Sequence, residues 1–303
     1  MFSVALPVRD HWSSRQILLF AAARRSAAFV SQRLAVFAHS RYESPMSAGL
    51  LVVLAFAFRA EAQSDQGLRC STTRVGSAHF TTCELPAKQI GRLSLASGGT
   101  IARLDTVLHG NGRRLLFAMN AGIYEREGVT TGLLVIDGVV RQPLDTFAGP
   151  RGRQPICERA NFYCPPNGVF FVTTRGVAHV WTTAQFARRF GAGRVAAGVR
   201  LATQSGPLLL RNGRLARAFN AKSRSRLVRN GVCVRADHSV VFAIADSVSH
   251  FEFATALRDR YRCRDALFLD GNVSQMYTGG GRPPPGEAFG AVLFVAPERQ
   301  RAP

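Results

Sequence analysis

The sequence predicts an α+β fold in a single domain, a mainly antiparallel or mixed β-sheet built from hairpins with a few packed helices. Three observations carry this. Short apolar and β-branched runs come in pairs around two-residue turns such as Asp137-Gly138 and Asn212-Gly213, whose residues tolerate the positive φ of hairpin turns. Only two stretches, near residues 183–190 and 249–261, look helical. Neither a tandem repeat nor a long linker interrupts residues 63–303, and a chain of 303 residues with 47% hydrophobic content can fill one large core.

The first 62 residues read as a processing signal rather than as fold. Residues 49–58 form an apolar run too short to span a bilayer, followed by Arg59-Ala60-Glu61-Ala62, an A-x-A pattern ahead of Gln63. A signal peptide over residues 46–62, starting near Met46 and cut after Ala62, is the simplest account. Residues 1–45 are then a non-native upstream extension or a long n-region; their apolar, Arg-rich segment 15–38 leaves a transit-like or membrane-surface helix as the competing view. The expected location is periplasmic or secreted, with no stable membrane span after cleavage. All six cysteines follow the cut and allow up to three disulfides, with fifteen pairings open if all are bridged; pairing of sequence neighbours would give Cys70–Cys83, Cys157–Cys164 and Cys233–Cys263. No C-x-x-C pair points to zinc.

The chain carries 39 basic against 19 acidic residues, and Lys88 and Lys222 are its only lysines. Residues 1–62 hold seven arginines and three acids, which leaves 32 basic and 16 acidic residues, a net +16, on the rest. The arginines are dispersed and no nucleic-acid motif accompanies them, so nucleic acid is not the expected partner. A pocket for an anionic small substrate can share the same charge.

In chain order, residues 133–136 and 139–141 flank Asp137-Gly138; residues 169–174 and 177–181 flank Arg175-Gly176. Residues 207–210 and 215–219 flank Asn212-Gly213, and residues 232–235 and 240–245 flank Ala236-Asp237-His238. The first helix spans 183–190, capped by Thr182 or Thr183. The second runs 249–261 with Phe251, Ala254, Leu257 and Tyr261 on one face; Ser249 and Glu252 form its capping box. A last strand covers 291–295, after a Gly- and Pro-rich loop over 279–286.

Chemistry gathers where apolar runs break into polar, Gly-containing segments. Ala266-Leu267-Phe268-Leu269 is a buried strand that ends in Asp270-Gly271-Asn272, with Ser274 close behind. An Asx-type turn bonding only nearby backbone is the plainer alternative for Asp270 and Asn272. Four further segments share the pattern: Met119-Asn120-Ala121-Gly122-Ile123-Tyr124, Pro166-Asn167-Gly168-Val169-Phe170, Thr203-Gln204-Ser205-Gly206-Pro207, and Arg229-Asn230-Gly231-Val232, with Ala245-Asp246-Ser247 further on. Each alone reads as a turn or a solvated charge.

In series, over roughly residues 115–295, these segments resemble the phosphodiester glycosidase family, and most of all its small bacterial exported members. Many members have Asp-Gly-Gly where this chain has Asp270-Gly271-Asn272. The resemblance implies an exported hydrolase that cleaves a glycosidic bond in a sugar-1-phosphodiester or related glycoconjugate. A non-catalytic periplasmic binder of anionic glycans is the alternative. Such cleavage builds oxocarbenium character, which a carboxylate stabilises or traps; Asp270 and Asp246 are the candidates. Arg229 is the candidate phosphate fork. Asn120, Asn167, Gln204, Ser205, Asn230, Asn272 and Ser274 suit sugar hydroxyls or an acetamido group, and Tyr124 can stack on a pyranose or sit in the core. No cofactor is implied, and no metal, though Asp246 and Asp270 together could hold Ca²⁺ or Mg²⁺.

Overall fold

Hairpin turns and strand alternation set the architecture. The computed structural model describes residues 67–124, 130–146, 167–191, 198–271 and 273–297, all within one compact unit spanning 61–303. The expected signal peptide and the Cys157–Cys164 pair lie outside the described residues. In chain order come β1 (Arg69–Val75), β2 (Ala78–Leu85), a 3-10 turn (Ala87–Arg92), β3 (Leu93–Ser97), α1 (Ile101–Gly110) and β4 (Phe117–Ala121). Next are β5 (Leu134–Ile136), β6 (Val139–Gln142), β7 (Gly168–Thr173), β8 (Ala178–Thr182), α2 (Thr183–Phe190) and β9 (Val199–Ser205). The rest comprises β10 (Leu208–Arg211), β11 (Arg214–Leu215), β12 (Leu227–Arg235), β13 (Val240–Val248), α3 (His250–Asp259), β14 (Cys263–Asp270), β15 (Met276–Tyr277) and β16 (Ala291–Val295).

Three sheets result, ordered β1-β2-β13-β12-β14-β10-β11, β15-β4-β16-β3 and β6-β5-β9-β7-β8. Every ladder among the described residues is antiparallel. The fold is therefore α+β, as expected. Asp137 and Gly138 (φ 51° and 78°) and Asn212 and Gly213 (φ 47° and 74°) make the turns their side chains favour. The expected capping box of Ser249 with Glu252 forms on α3, and on α2 Thr182 is the cap, in a second box with Gln185. The α3 helix stops at Asp259, two residues short of the expected end, and Arg262 turns back into β14 at φ 58°.

One phenylalanine from each sheet meets in the central core. Phe242 of β13 lies 4.7 Å from Phe117 of β4 and 6.4 Å, edge-on, from Phe170 of β7. All three are fully buried, each contributing about 1.5–3 kcal/mol. A second cluster seats α3 on the large sheet through Phe253, Leu257 and Phe268, and a third seats α2 through Phe186 and Phe190 on Phe171. Disulfides Cys70–Cys83 and Cys233–Cys263 join neighbouring strands as the spacing predicts. At Gly231 a Cβ would stand 2.8 Å from the Leu267 carbonyl oxygen, so only glycine lets β12 lie this close to β14. That approach brings Asn230 opposite Asp270.

Candidate active site around Asp270

Asp270 ends β14 with 6% of its surface exposed, and it has no ion-pair partner among the described residues. Its Oδ1 accepts from the Gly271 N–H (2.7 Å) and its Oδ2 from Asn120 Nδ2 (2.7 Å). Two backbone donors settle which way the asparagines point. The Gln275 N–H gives to Asn120 Oδ1 (2.8 Å) and the Asp270 N–H to Asn230 Oδ1 (2.7 Å), so each amide nitrogen must face the other way. Asn230 Nδ2 then donates to Asn120 Oδ1 (2.9 Å) and Asn120 Nδ2 is left to the carboxylate. Burial pushes the Asp270 carboxyl up to about 6, against the Gly271 and Asn120 donors and with a small push from the charge of Glu287. A carboxylate so placed is ionised at neutral pH, yet exchanges protons close to it.

Tyr124 stands half-buried beside this group, its ring edge-on to Phe289 at 6.4 Å. Burial, then the charges of Asp270 and Glu287, raise its hydroxyl pKa. Ser205 Oγ donates to the Leu269 carbonyl (3.0 Å), bracing the strand one residue before Asp270. Ser274, in the turn after Asp270, has a buried Oγ without a partner among the described residues. Asn272 lies outside the described residues.

The other expected site residues have different work. Arg229 and Asn230 are adjacent on β12, so their side chains leave opposite faces of the sheet. Arg229, 1% exposed, points to the α3 side: Nε donates to the Val248 carbonyl (2.7 Å), Nη2 to the Ser225 carbonyl (3.0 Å), and Nη1 meets His250 Nε2 (3.0 Å). Its guanidinium rests on the Phe268 ring at 5.8 Å, and burial lowers its pKa to about 10. Burial and the Arg229 charge hold His250 down to about 3, so the imidazole is neutral and accepts from Arg229. The expected phosphate fork is instead a buried structural cation.

Asp246 is likewise apart. It stands on β13, two strands from β14 and roughly 10 Å across the sheet. With 57% of its side chain exposed, it takes the His79 backbone N–H (2.8 Å) and faces that imidazole at 3.5 Å. It forms no cation cage with Asp270; among the described residues no cluster of three or more His, Cys, Asp or Glu could hold a metal.

Gln204, 1% exposed, accepts from the Leu133 and Asp145 N–H groups and donates to the Asp145 carbonyl and Thr183 Oγ1. Asn167 Oδ1 accepts from the Leu208 N–H. Both are keystones between segments. A cavity of about 440 Å³ opens beside Gln204, lined by Thr131, Gly132, Gln142, Leu144 and Asp145 among others. No residue of the Asp270 cluster lines it, so chemistry rather than volume marks the site.

Sequence reasoning missed two neighbours of Asp270. Gln275 bonds Asn120 through its backbone, and its side-chain nitrogen reaches the carbonyls of Pro284 (3.5 Å) and Pro285 (3.4 Å). Glu287 follows in the same loop. Proline and glycine conceal the loop's bearing on the site, because neither residue type signals an ordered contact.

A sequence model described as phosphodiester glycosidase matches residues 113–295. The chain is 28% identical over 203 residues to the uncharacterised protein YigE of Escherichia coli K12, covering 67% of this chain and 72% of that one. Among solved structures it is similar to the catalytic domain of zebrafish N-acetylglucosamine-1-phosphodiester alpha-N-acetylglucosaminidase, auto-inhibited by its pro-peptide (TM-score 0.47, 14% identity, 75% of this chain and 81% of that one). It is also similar to a hypothetical protein from Synechocystis (TM-score 0.45, 15% identity, 76% of this chain and 62% of that one).

Proposed function

The chain belongs to the phosphodiester glycosidase family, and from that premise we propose that it is an exported hydrolase cleaving the glycosidic bond of a sugar-1-phosphodiester or a related envelope or extracellular glycoconjugate. The observation that carries this reading is Asp270: a buried carboxylate with no cation partner among the described residues, fixed through both oxygens at a strand end, where burial pushes its carboxyl up to about 6.

Positive charge developing at the anomeric carbon attracts that carboxylate, which stabilises the oxocarbenium ion or bonds to it. The departing phosphomonoester has a second pKa of about 6, so it leaves as an anion with little need of a proton. Asn120 and Asn230 hold Asp270 in one orientation, so reorganisation during the reaction is small. Tyr124 offers a ring for the sugar, and the unpartnered hydroxyl of Ser274 offers a hydrogen bond. Export is supported by the two disulfides, since such bonds persist in oxidising compartments. No helix among the described residues is long and apolar enough to cross a membrane.

The test incubates the full chain with a panel of sugar-1-phosphodiesters and the sugar-1-diphosphate ester UDP-N-acetylglucosamine, and measures free sugar. Release that falls about 10³-fold or more in Asp270→Asn supports the reading. No release from any panel member, or release untouched by the substitution, overturns it.

A further inference from the structure

Glycoside hydrolysis ordinarily uses two carboxyl groups on either side of the scissile bond. With Asp246 occupied elsewhere, Asp270 lacks its counterpart among the residues so far assigned. The segment between β15 and β16 supplies one. Tyr277 Oη donates to the Gly281 carbonyl (2.8 Å), pinning the loop after three consecutive glycines at φ 77–82°. Further on, the Gly286 backbone packs so tightly on the Gln275 amide that a Cβ there would lie 2.4 Å from Oε1. Gln275 is itself bound to Asn120, the residue that holds the Asp270 carboxylate. On the far side of Glu287, the Phe289 N–H bonds the Gly99 carbonyl (3.0 Å) and its ring packs on Tyr124. Ala291 then pairs with Ala121 in β4, the strand that carries Asn120. Glu287 is thus strung between two anchors that both belong to the Asp270 site.

Resting on the hydrolase reading above, we infer that Glu287 is the second carboxylate of this site and the base that activates water. Its negative charge contributes to the raised carboxyl of Asp270 and the raised hydroxyl of Tyr124, which agrees with a shared cleft. Unlike Asp270, Glu287 is exposed, so solvent water has access to it. In the step that consumes water, a water proton passes to a Glu287 carboxylate oxygen while the water oxygen bonds to the anomeric carbon. The bond from that carbon to its leaving oxygen breaks, and its electron pair stays on that oxygen. The leaving oxygen belongs to the phosphate in a single displacement, or to Asp270 if a glycosyl ester has formed first. The proton then passes from Glu287 to bulk water, and the sum is addition of one water molecule. Both stereochemical courses need this base, so the assignment holds for either.

The test uses the full chain and UDP-N-acetylglucosamine. Glu287→Gln is expected to lower kcat by about 10²–10⁴-fold, and Glu287→Ala is expected to regain turnover with added formate or azide, which a scaffold residue would not do. In parallel, carboxyl carbon NMR follows the titration of Asp270, whose midpoint should fall in Glu287→Gln as the neighbouring charge is removed. Wild-type release with Glu287→Gln within threefold of it overturns the role of Glu287 and spares that of Asp270. An Asp270 midpoint that does not move also overturns it. A wild-type chain inert on the whole sugar-1-phosphodiester panel overturns the hydrolase reading, and the water-activating role with it.

Discussion

Asp270→Asn separates what the carboxylate does in chemistry from what it costs the fold. The carboxyl titrates at about 6 in the folded protein against an ordinary value of 3.8, a displacement equivalent to about 3 kcal/mol. Because the folded state holds this proton more tightly than the unfolded chain, the associated stability is fully present below about pH 4. It is lost as the pH rises through about 6. The substitution removes that loss, and in exchange its amide can accept from only one of Gly271 N–H and Asn120 Nδ2 and sets an NH2 donor against the other. That mismatch costs about 1–3 kcal/mol at every pH. The stability difference between variant and wild type should therefore move by about 3 kcal/mol in favour of the variant between pH 4 and pH 7.5. Urea unfolding at both pH values measures it, and groups such as Glu84 and Asp237, whose pKa values are lowered in both proteins, cancel in the comparison. A difference that stays the same within 1 kcal/mol would show that Asp270 is not a destabilised buried anion, and the reasoning about its site would fail.

If ionised Asp270 is the working form, kcat/KM should rise with pH through a midpoint near 6 in initial-rate profiles. Arg229→Met should lower stability by about 2–4 kcal/mol in urea unfolding, because the Val248 and Ser225 carbonyls lose their donors. KM of the folded fraction should stay within about threefold of wild type. Gly231→Ala should cost about 1–3 kcal/mol by the same measurement, as β12 and β14 are forced apart beside the site. Replacing Cys233 and Cys263 together by serine should cost about 3–4 kcal/mol, since their bond closes a loop with a sequence separation of 30.

How far these features could be read in advance depended on whether a residue's role is local. Turn residues such as Asp137 and Asn212 act through their own φ angles, and the box of Ser249 and Glu252 acts over three positions, so both are legible in a short window. Asp270, Asn120 and Asn230 were each marked by a glycine-containing break after an apolar run, and they do meet. Arg229 shows the limit. It belongs to the same short segment as Asn230, but strand alternation sends it to the other face, and nothing in the segment says which residue faces the cleft. β1 escaped because an edge strand with mostly exposed or half-exposed side chains carries little apolar signal. Glu287 escaped because its position comes from contacts of Gln275 and Tyr124, far from it along the backbone.

The four-stranded sheet has a kinetic consequence. β16 lies between β3 and β4, pairing residues 291–295 with residues 93–97 on one side and with 117–121 on the other. Contacts of such long sequence separation form slowly, because a large loop must close before they give anything back. Val292 opposes Asn120 in that ladder. Residues up to Asp270 are therefore not enough to build the site, because its asparagine sits in a strand that pairs with residues 291–295. Order at Asn120 is thus tied to the docking of residues 291–295, a segment distant from it along the chain.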